Sequence, residues 1–201
     1  MTVPVRMLGA AAIFAIAAPV SAQAQDAVRA PVQALDEGLL AIMKSAKQLG
    51  YQGRVGRIGQ VVDRVFDLPL MTRLAVGPGW TTIAASDKSA LVAAFRRMTI
   101  SQYAANFNGW SGQAFTIDSR VDTRGTDRLV RTTLAASKGD PVSLAYRLRQ
   151  TGGEWRIIDV FYQNSISQLA TRRADFASIL SKGGAKALIA HLDQLSAKSA
   201  R

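Results

Sequence analysis

The sequence predicts an α+β domain in which helices pack on a curved antiparallel sheet of about four to five strands. Three observations carry that expectation. Apolar residues recur at steps of three and four from residue 26 to about 107, the signature of helices that bury one face. Between 113 and 162 the apolar period falls to two, and the segments are joined by turns too short for a parallel crossover. Beyond Gln163 helical spacing returns with Ile166, Leu169, Ala170 and Phe176. Strands grouped between two helical runs give segregated layers rather than the alternation of a parallel α/β sheet.

At 201 residues the chain can bury one core and little more. Residues 7–20, MLGAAAIFAIAAPV, are apolar and follow Arg6, and the next residues, SAQAQDA, offer small-residue cleavage positions after Ala22 and Ala24. That is the pattern of a secretory signal, and the apolar run is too short to span a bilayer. The expected organisation is a signal peptide at 1–24 and one domain at 25–201, helical at about 26–110 and 164–198, with the sheet at about 113–162. The chain contains no cysteine, which excludes a lipobox-type lipid anchor, disulfides, thiolate catalysis and zinc–thiolate sites. Its net charge is +11, and losing Arg6 with the leader leaves 24 Lys+Arg against 14 Asp+Glu, a net +10. An exported basic protein meets lipid headgroups and acidic partner surfaces rather than nucleic acid.

The first helix is expected over 26–49, where Val28, Val32, Leu35, Leu39, Ile42, Ala46 and Leu49 form one stripe. Pro31 falls early enough to be tolerated, and Gly50 ends the helix. Gly53, Gly56 and Gly59 then recur every third residue without the strand or spacing of a dinucleotide fingerprint. They predict an irregular start to a helix running through Phe66. Asp67 is placed to cap a short helix holding Leu70 and Leu74, and GPG at 77–79 breaks the chain before Trp80. Ser86 is placed to cap a helix over 87–107, with Leu91, Phe95 and Met98 on one face and Val92, Tyr103 and Phe107 beside it.

Strands are expected at 113–122, 127–137, 141–150 and 154–162. In the third, Val142, Leu144, Tyr146 and Leu148 alternate with Ser143, Ala145, Arg147 and Arg149. The fourth is unusual: Trp155, Ile157 and Phe161 would face one way, and Ile158, Val160 and Tyr162 the other, so both faces are apolar. A one-sided sheet should alternate apolar with polar, so something must cover the second face. Helices over 164–181 and 185–197, parted by Gly183 and Gly184, complete the chain.

Few residues offer chemistry. His191 is the only histidine, on the apolar side of the last helix, and one histidine without cysteines builds no standard transition-metal site. GWSGQ at 109–113 lacks the second glycine of a nucleophile elbow and its strand-then-helix setting. Asp159, within an apolar strand, needs a donor or a shifted pKa. It is either a general base with Tyr146 or Tyr162 beside it, or a structural partner of Arg156, Arg147 or Arg173. The apolar excess on the sheet is core, or the lining of a deep apolar cavity. Leaving half of a sixteen-carbon tail in water costs about 6 kcal/mol at ~0.8 kcal/mol per CH₂, so a lipid ligand would require depth rather than a surface groove.

VVDRVFDLPLMTRLAVGPGW resembles the helix–FD–helix–G–W segment of the periplasmic phospholipid carriers of the MlaC, or toluene-tolerance, family. FRRMTISQYAANF is similar to their following helix, and the stretch from VSLAYRLRQTGGEW to ALIAHL to their ending, so the likeness spans roughly 30–195. YQNSISQLATRR departs from the family pattern, with Gln163 and Asn164 in place of Glu-Gly and Arg172 and Arg173 in place of Tyr-Arg. It looks like the branch associated with hopanoid biosynthesis, called HpnM.

The resemblance implies a cone-shaped, NTF2-like domain with a helical subdomain, enclosing an apolar cavity between sheet and helices. It implies a soluble periplasmic shuttle without a cofactor, carrying phospholipid or hopanoid between an inner-membrane lipid transporter and an outer-membrane lipid complex. Candidate lining residues are Phe66, Leu70, Leu74, Trp80, Phe95, Met98, Tyr103, Leu144, Tyr146, Leu148, Ile158, Val160 and Tyr162. Only one sheet face can contribute, so the strand residues cannot all belong. Arg147, Arg149, Arg172 and Arg173 are candidates for headgroup or partner contact. Two other readings remain: an enzyme using Asp159 on a small polycyclic substrate, and a basic adaptor that bridges membrane complexes without a ligand.

Overall fold

The structure is a computed structural model that describes residues 20–136 and 139–200. Most of the expected leader lies outside the described residues, and the first helix, α1 (Val20–Lys44), begins inside its predicted end. Four further helices follow: α2 (Ala46–Val65), α3 (Leu68–Val76), α4 (Ala85–Asn106) and α5 (Gln168–Ser199). Between the last two lie β1 (Ala114–Arg124), β2 (Asp127–Ala135), β3 (Val142–Thr151), β4 (Glu154–Tyr162) and β5 (Ile166–Ser167). The strands form one antiparallel sheet in the order β1-β2-β3-β4-β5, so the α+β expectation is met.

α1 lies across β1, β2 and β4 and inserts its stripe, with Val32 and Leu35 fully buried and Leu39 and Ile42 at 1% exposure. The same core holds Val130, Tyr146, Leu148 and Ile157 of the sheet and Leu91, Phe95 and Met98 of α4. Truncating a residue such as Leu35 to Ala in this packing costs about 2–5 kcal/mol. The predicted first helix bends earlier than expected, at Ser45, while the left-handed Gly50 (φ 57°) breaks the helical path where the sequence placed the stop. Gly184 (φ 64°) likewise divides α5 into the two segments that were expected.

Asp67 caps α3 as predicted, accepting from the Leu70 N–H at 3.0 Å, and its other oxygen accepts from the Thr151 hydroxyl at 3.0 Å. The short link it occupies joins the sheet, since Phe66 bridges Ile157 and the Asp67 N–H donates to the Ile157 carbonyl at 2.9 Å. Ser86 is not the cap of α4. The helix starts at Ala85 after the extended Ala84, with no side-chain cap.

The apolar character of both faces of β4 has a local cause. Arg147 lies opposite Asp159, and Leu148 opposite Ile157, so Ile158 is an extra residue in a β-bulge. The bulge lets Ile157 and Ile158, neighbours in sequence, both be buried at 0% and 1%. The predicted helix start at 164 is also corrected. Gln163 and Asn164 both take left-handed conformations (φ 51° and 58°), and the Ser165 N–H donates to the Tyr162 carbonyl at 3.2 Å. Two such residues in succession make a tight hairpin turn of the primed type. It leads into β5, and the helix waits for Ser167, whose hydroxyl accepts from the Ala170 N–H at 2.9 Å.

Candidate functional site

A cavity of about 180 Å³ lies between α4, the first half of α5 and the edge of β4. One face of α4 supplies Phe95, Thr99, Gln102, Tyr103 and Asn106, with Phe107 at its end. Phe66 and Met71 close one side. Asp159 and Val160 come from β4, and Gln168, Leu169 and Arg172 from the opening turns of α5. The rings continue as a wall: Phe66 to Tyr103 and Tyr103 to Phe107 at 5.9 Å between centroids, then Phe107 to Phe115 at 6.5 Å.

Asp159 is the hub of this site, 4% exposed. One carboxylate oxygen accepts from the Val160 N–H at 2.8 Å and the Leu169 N–H at 3.1 Å, and the other from the Ser167 hydroxyl at 2.6 Å. Burial raises its pKa, and the donors from Ser167, Leu169 and Val160 oppose that rise. No arginine forms a salt bridge with it among the described residues, so the pairing expected with Arg156, Arg147 or Arg173 is replaced by a hydroxyl and two backbone amides. Because donors already occupy both oxygens, it is poorly placed as a free general base.

Arg172 is the one strong cation among the described residues that line the cavity. Its Nη2 donates to the Gln102 side-chain oxygen at 2.7 Å, its Nη1 reaches the Met98 sulfur at 3.1 Å, and the guanidinium lies 5.8 Å over the Phe95 ring. Burial lowers its pKa, which neighbouring Tyr103 and Asp175 partly offset.

Of the residues picked from sequence, Phe66, Phe95, Tyr103, Val160 and Arg172 meet at this cavity. Met98 lies behind Arg172. Tyr146, Leu148 and Ile158 are core residues at 0–1% exposure. Leu70 and Leu74 are half-buried on α3, Trp80 sits in the 3₁₀ turn at 77–82, Leu144 is half-buried, and Tyr162 is 44% exposed. None of these four elements brings them into the cavity lining. Arg147 and Arg149 stand on the opposite face of β3 from Tyr146, where both bind Asp127, Arg149 at 2.6 Å. Arg149 and Arg147 hold the Asp127 carboxyl below its ordinary pKa. Arg173 is exposed and packs its guanidinium near Gly77.

The sequence reading missed Thr99, Gln102 and Asn106, because polar residues on a helix face read as a solvated surface. Their spacing of three and four with Phe95 and Tyr103 is the signal that could have placed them together.

A family profile described as "MlaC protein" matches residues 33–194. Among solved structures, the chain is similar to a phospholipid-binding protein from Ralstonia solanacearum determined in complex with a phospholipid. The identity is 25% and the TM-score 0.72, over 87% of this chain and 99% of that one. No curated protein matches the chain. With the profile covering most of its length and the fold agreeing, the chain belongs to the MlaC family.

Proposed function

We propose that this protein is a periplasmic lipid carrier that performs no bond-making chemistry. It would take a lipid from an inner-membrane transporter, shelter its tails between α4, α5 and the sheet, and pass it to an outer-membrane complex. The observation that carries this reading is the likeness along 87% of the chain to a protein solved with a phospholipid. The apolar N-terminal run and the net charge of +11 support export and contact with anionic membrane surfaces. Gln163 and Asn164, where the family pattern differs, keep a hopanoid beside phospholipid as cargo.

The cavity is small for that work. Ligand pockets run from about 300 to 1,000 Å³, and about 180 Å³ suits a benzene-sized guest. Loading therefore requires a wall to move, and the first half of α5 is the wall built to do so. Between Gln168 and Gly183 it buries only Phe176, edge-on to Phe95 at 6.4 Å between centroids. Its start hangs on Asp159, and its end is the non-helical Gly184. Few buried anchors between a polar tie and a glycine make a segment of low local stability.

The small cavity also favours one competing reading, a basic adaptor without a ligand. Native mass spectrometry of the protein purified gently from hopanoid-producing cells, followed by solvent extraction, separates the two. Phospholipid or hopanoid near one per chain is the expected result. A bare chain mass, unchanged after incubation with liposomes of both lipids, overturns the carrier in favour of the adaptor.

A further inference from the structure

The cavity of the proposed carrier holds a cation that the fold leaves uncompensated. Arg172 offers five N–H donors. Among the described residues one donor meets an amide oxygen and another a thioether, which is a weak acceptor. Among the described residues no carboxylate lies within salt-bridge distance of it, whereas Arg147 and Arg149, also partly buried, converge on Asp127. Asp175, the acid that acts on it through space, is exposed and out of salt-bridge range. The carboxylate within the cavity, Asp159, is already occupied by Ser167, Leu169 and Val160.

A cation withdrawn from water without a counter-ion is costly, and chains tolerate such a departure chiefly at functional sites. On this basis, and resting on the carrier reading above, we propose that Arg172 is an anion-recognition residue. It selects cargo that carries an anionic oxygen group, a phosphate or carboxylate, on an apolar body. The guanidinium fork accepts such a group in a bidentate mode. Thr99, Tyr103 and Asn106 bring further hydroxyl and amide donors to the same space, while Phe66, Phe107 and Leu169 receive the apolar part. A lipid with an uncharged end leaves the guanidinium unmatched and is bound less tightly. The pKa of Arg172, lowered by burial, fits a charge awaiting its partner.

The test compares three single-chain probes with the same tail: palmitoyl lysophosphatidic acid, palmitate and uncharged monopalmitoylglycerol. Affinities are measured by calorimetry or native mass spectrometry for the mature wild type, Arg172→Gln and Arg172→Lys. The wild type is expected to prefer at least one anionic probe by about tenfold or more, the worth of a charge-assisted hydrogen bond. Arg172→Gln is expected to lose that preference while still binding monopalmitoylglycerol. Should the Gln variant fail to fold, Arg172→Lys, which keeps the charge and loses the fork, is expected to show a reduced preference. Equal affinity of the wild type for all three probes, or an undiminished preference in both variants, overturns the assignment and leaves the carrier reading standing. If the wild type binds none of them, this inference fails; the carrier reading fails with it only if the native mass spectrometry above also finds no lipid on the chain. Tight binding of inorganic phosphate alone that leaves the lipid affinities unchanged assigns Arg172 to a free anion and overturns the lipid role.

Discussion

The Ser167 hydroxyl donates to the Asp159 carboxylate at 2.6 Å and accepts from the Ala170 N–H at 2.9 Å. One short relay thus fastens the first turn of α5 to strand β4. Asp159→Ala removes the acceptor for three donors at once. At about 1.5–3 kcal/mol for a hydrogen bond to a charged group, some of it recovered by water at the opened junction, the loss should lower Tm by several degrees at roughly 2–4 °C per kcal/mol. Ser167→Ala should cost less, since the Leu169 and Val160 amides keep their acceptor. Hydrogen exchange is the sharper readout: amides over 169–176 should open faster in Asp159→Ala than those of α4. Unchanged exchange there would show that Asp159 does not hold this wall of the cavity.

Stability should fall as pH rises, because of Asp36. Neither of its oxygens has a partner among the described residues, and burial, aided by Glu37, pushes its pKa from 3.8 up to about 8. A carboxyl whose pKa is raised on folding contributes fully below the unfolded value and loses that contribution as pH climbs through the folded one. The window is therefore about pH 4 to 8, with a slope of at most roughly 1.4 kcal/mol per pH unit. Asp127 acts with the opposite sign, since Arg149 and Arg147 depress its pKa and its contribution is lost in acid. Urea melts at pH 5.5 and 8 test this: the wild type should be more stable at the lower value, and Asp36→Asn should flatten the difference. An equally steep slope in Asp36→Asn would remove Asp36 as its source.

The wall proposed to move for loading ends at Gly184, which makes a different demand. Its φ is 64°, and a Cβ built there meets no atom within 4 Å. Any cost of Gly184→Ala is therefore backbone strain, on the order of 1–3 kcal/mol at φ 64° and ψ −163°, and not a clash. The variant should fold, melt slightly lower and release bound lipid at an altered rate. Gly50→Ala, with φ 57° and the same open surroundings, is the control: comparable strain away from the cavity should leave the lipid rate untouched. Equal effects of the two on release would mean that the kink in α5 has no special part in loading.

How much of this was legible beforehand depends on the scale of the interactions. The stripe from Val28 to Ile42, the Asp67 cap and the two-residue period of β3 are local signals, and each reached the structure intact. The hairpin at Gln163–Asn164 was not legible, because neither residue is a glycine and glutamine carries no preference for the left-handed conformation that both positions take. The cavity was half legible. Phe66, Phe95, Tyr103 and Val160 could be named from apolar spacing and from the family likeness, whereas Arg172 was named only as a candidate for headgroup or partner contact. Which strand residues join them depended on the bulge at Ile158, a register event that sequence alternation cannot register. The same limit hid the common partner of Arg147 and Arg149, Asp127, which lies some twenty residues away.

Filling the cavity separates its role from that of the rest of the fold. Val160 lines it from β4, opposite Tyr146 in the ladder, and is only half-buried, so a larger side chain has some freedom to adapt. Val160→Trp should occupy much of the roughly 180 Å³ and stand in the path of an entering tail. Overpacking costs about 1–3 kcal/mol, small enough for a domain of this size to remain folded. Lipid acquired from liposomes should fall to a small fraction of the wild-type level, with the circular dichroism spectrum unchanged. Leu144→Trp, on the neighbouring strand outside the lining, carries a similar bulk and should load normally. If Val160→Trp loads as well as the wild type, tails are held elsewhere on the molecule, and the cavity between α4, α5 and β4 is not the binding site.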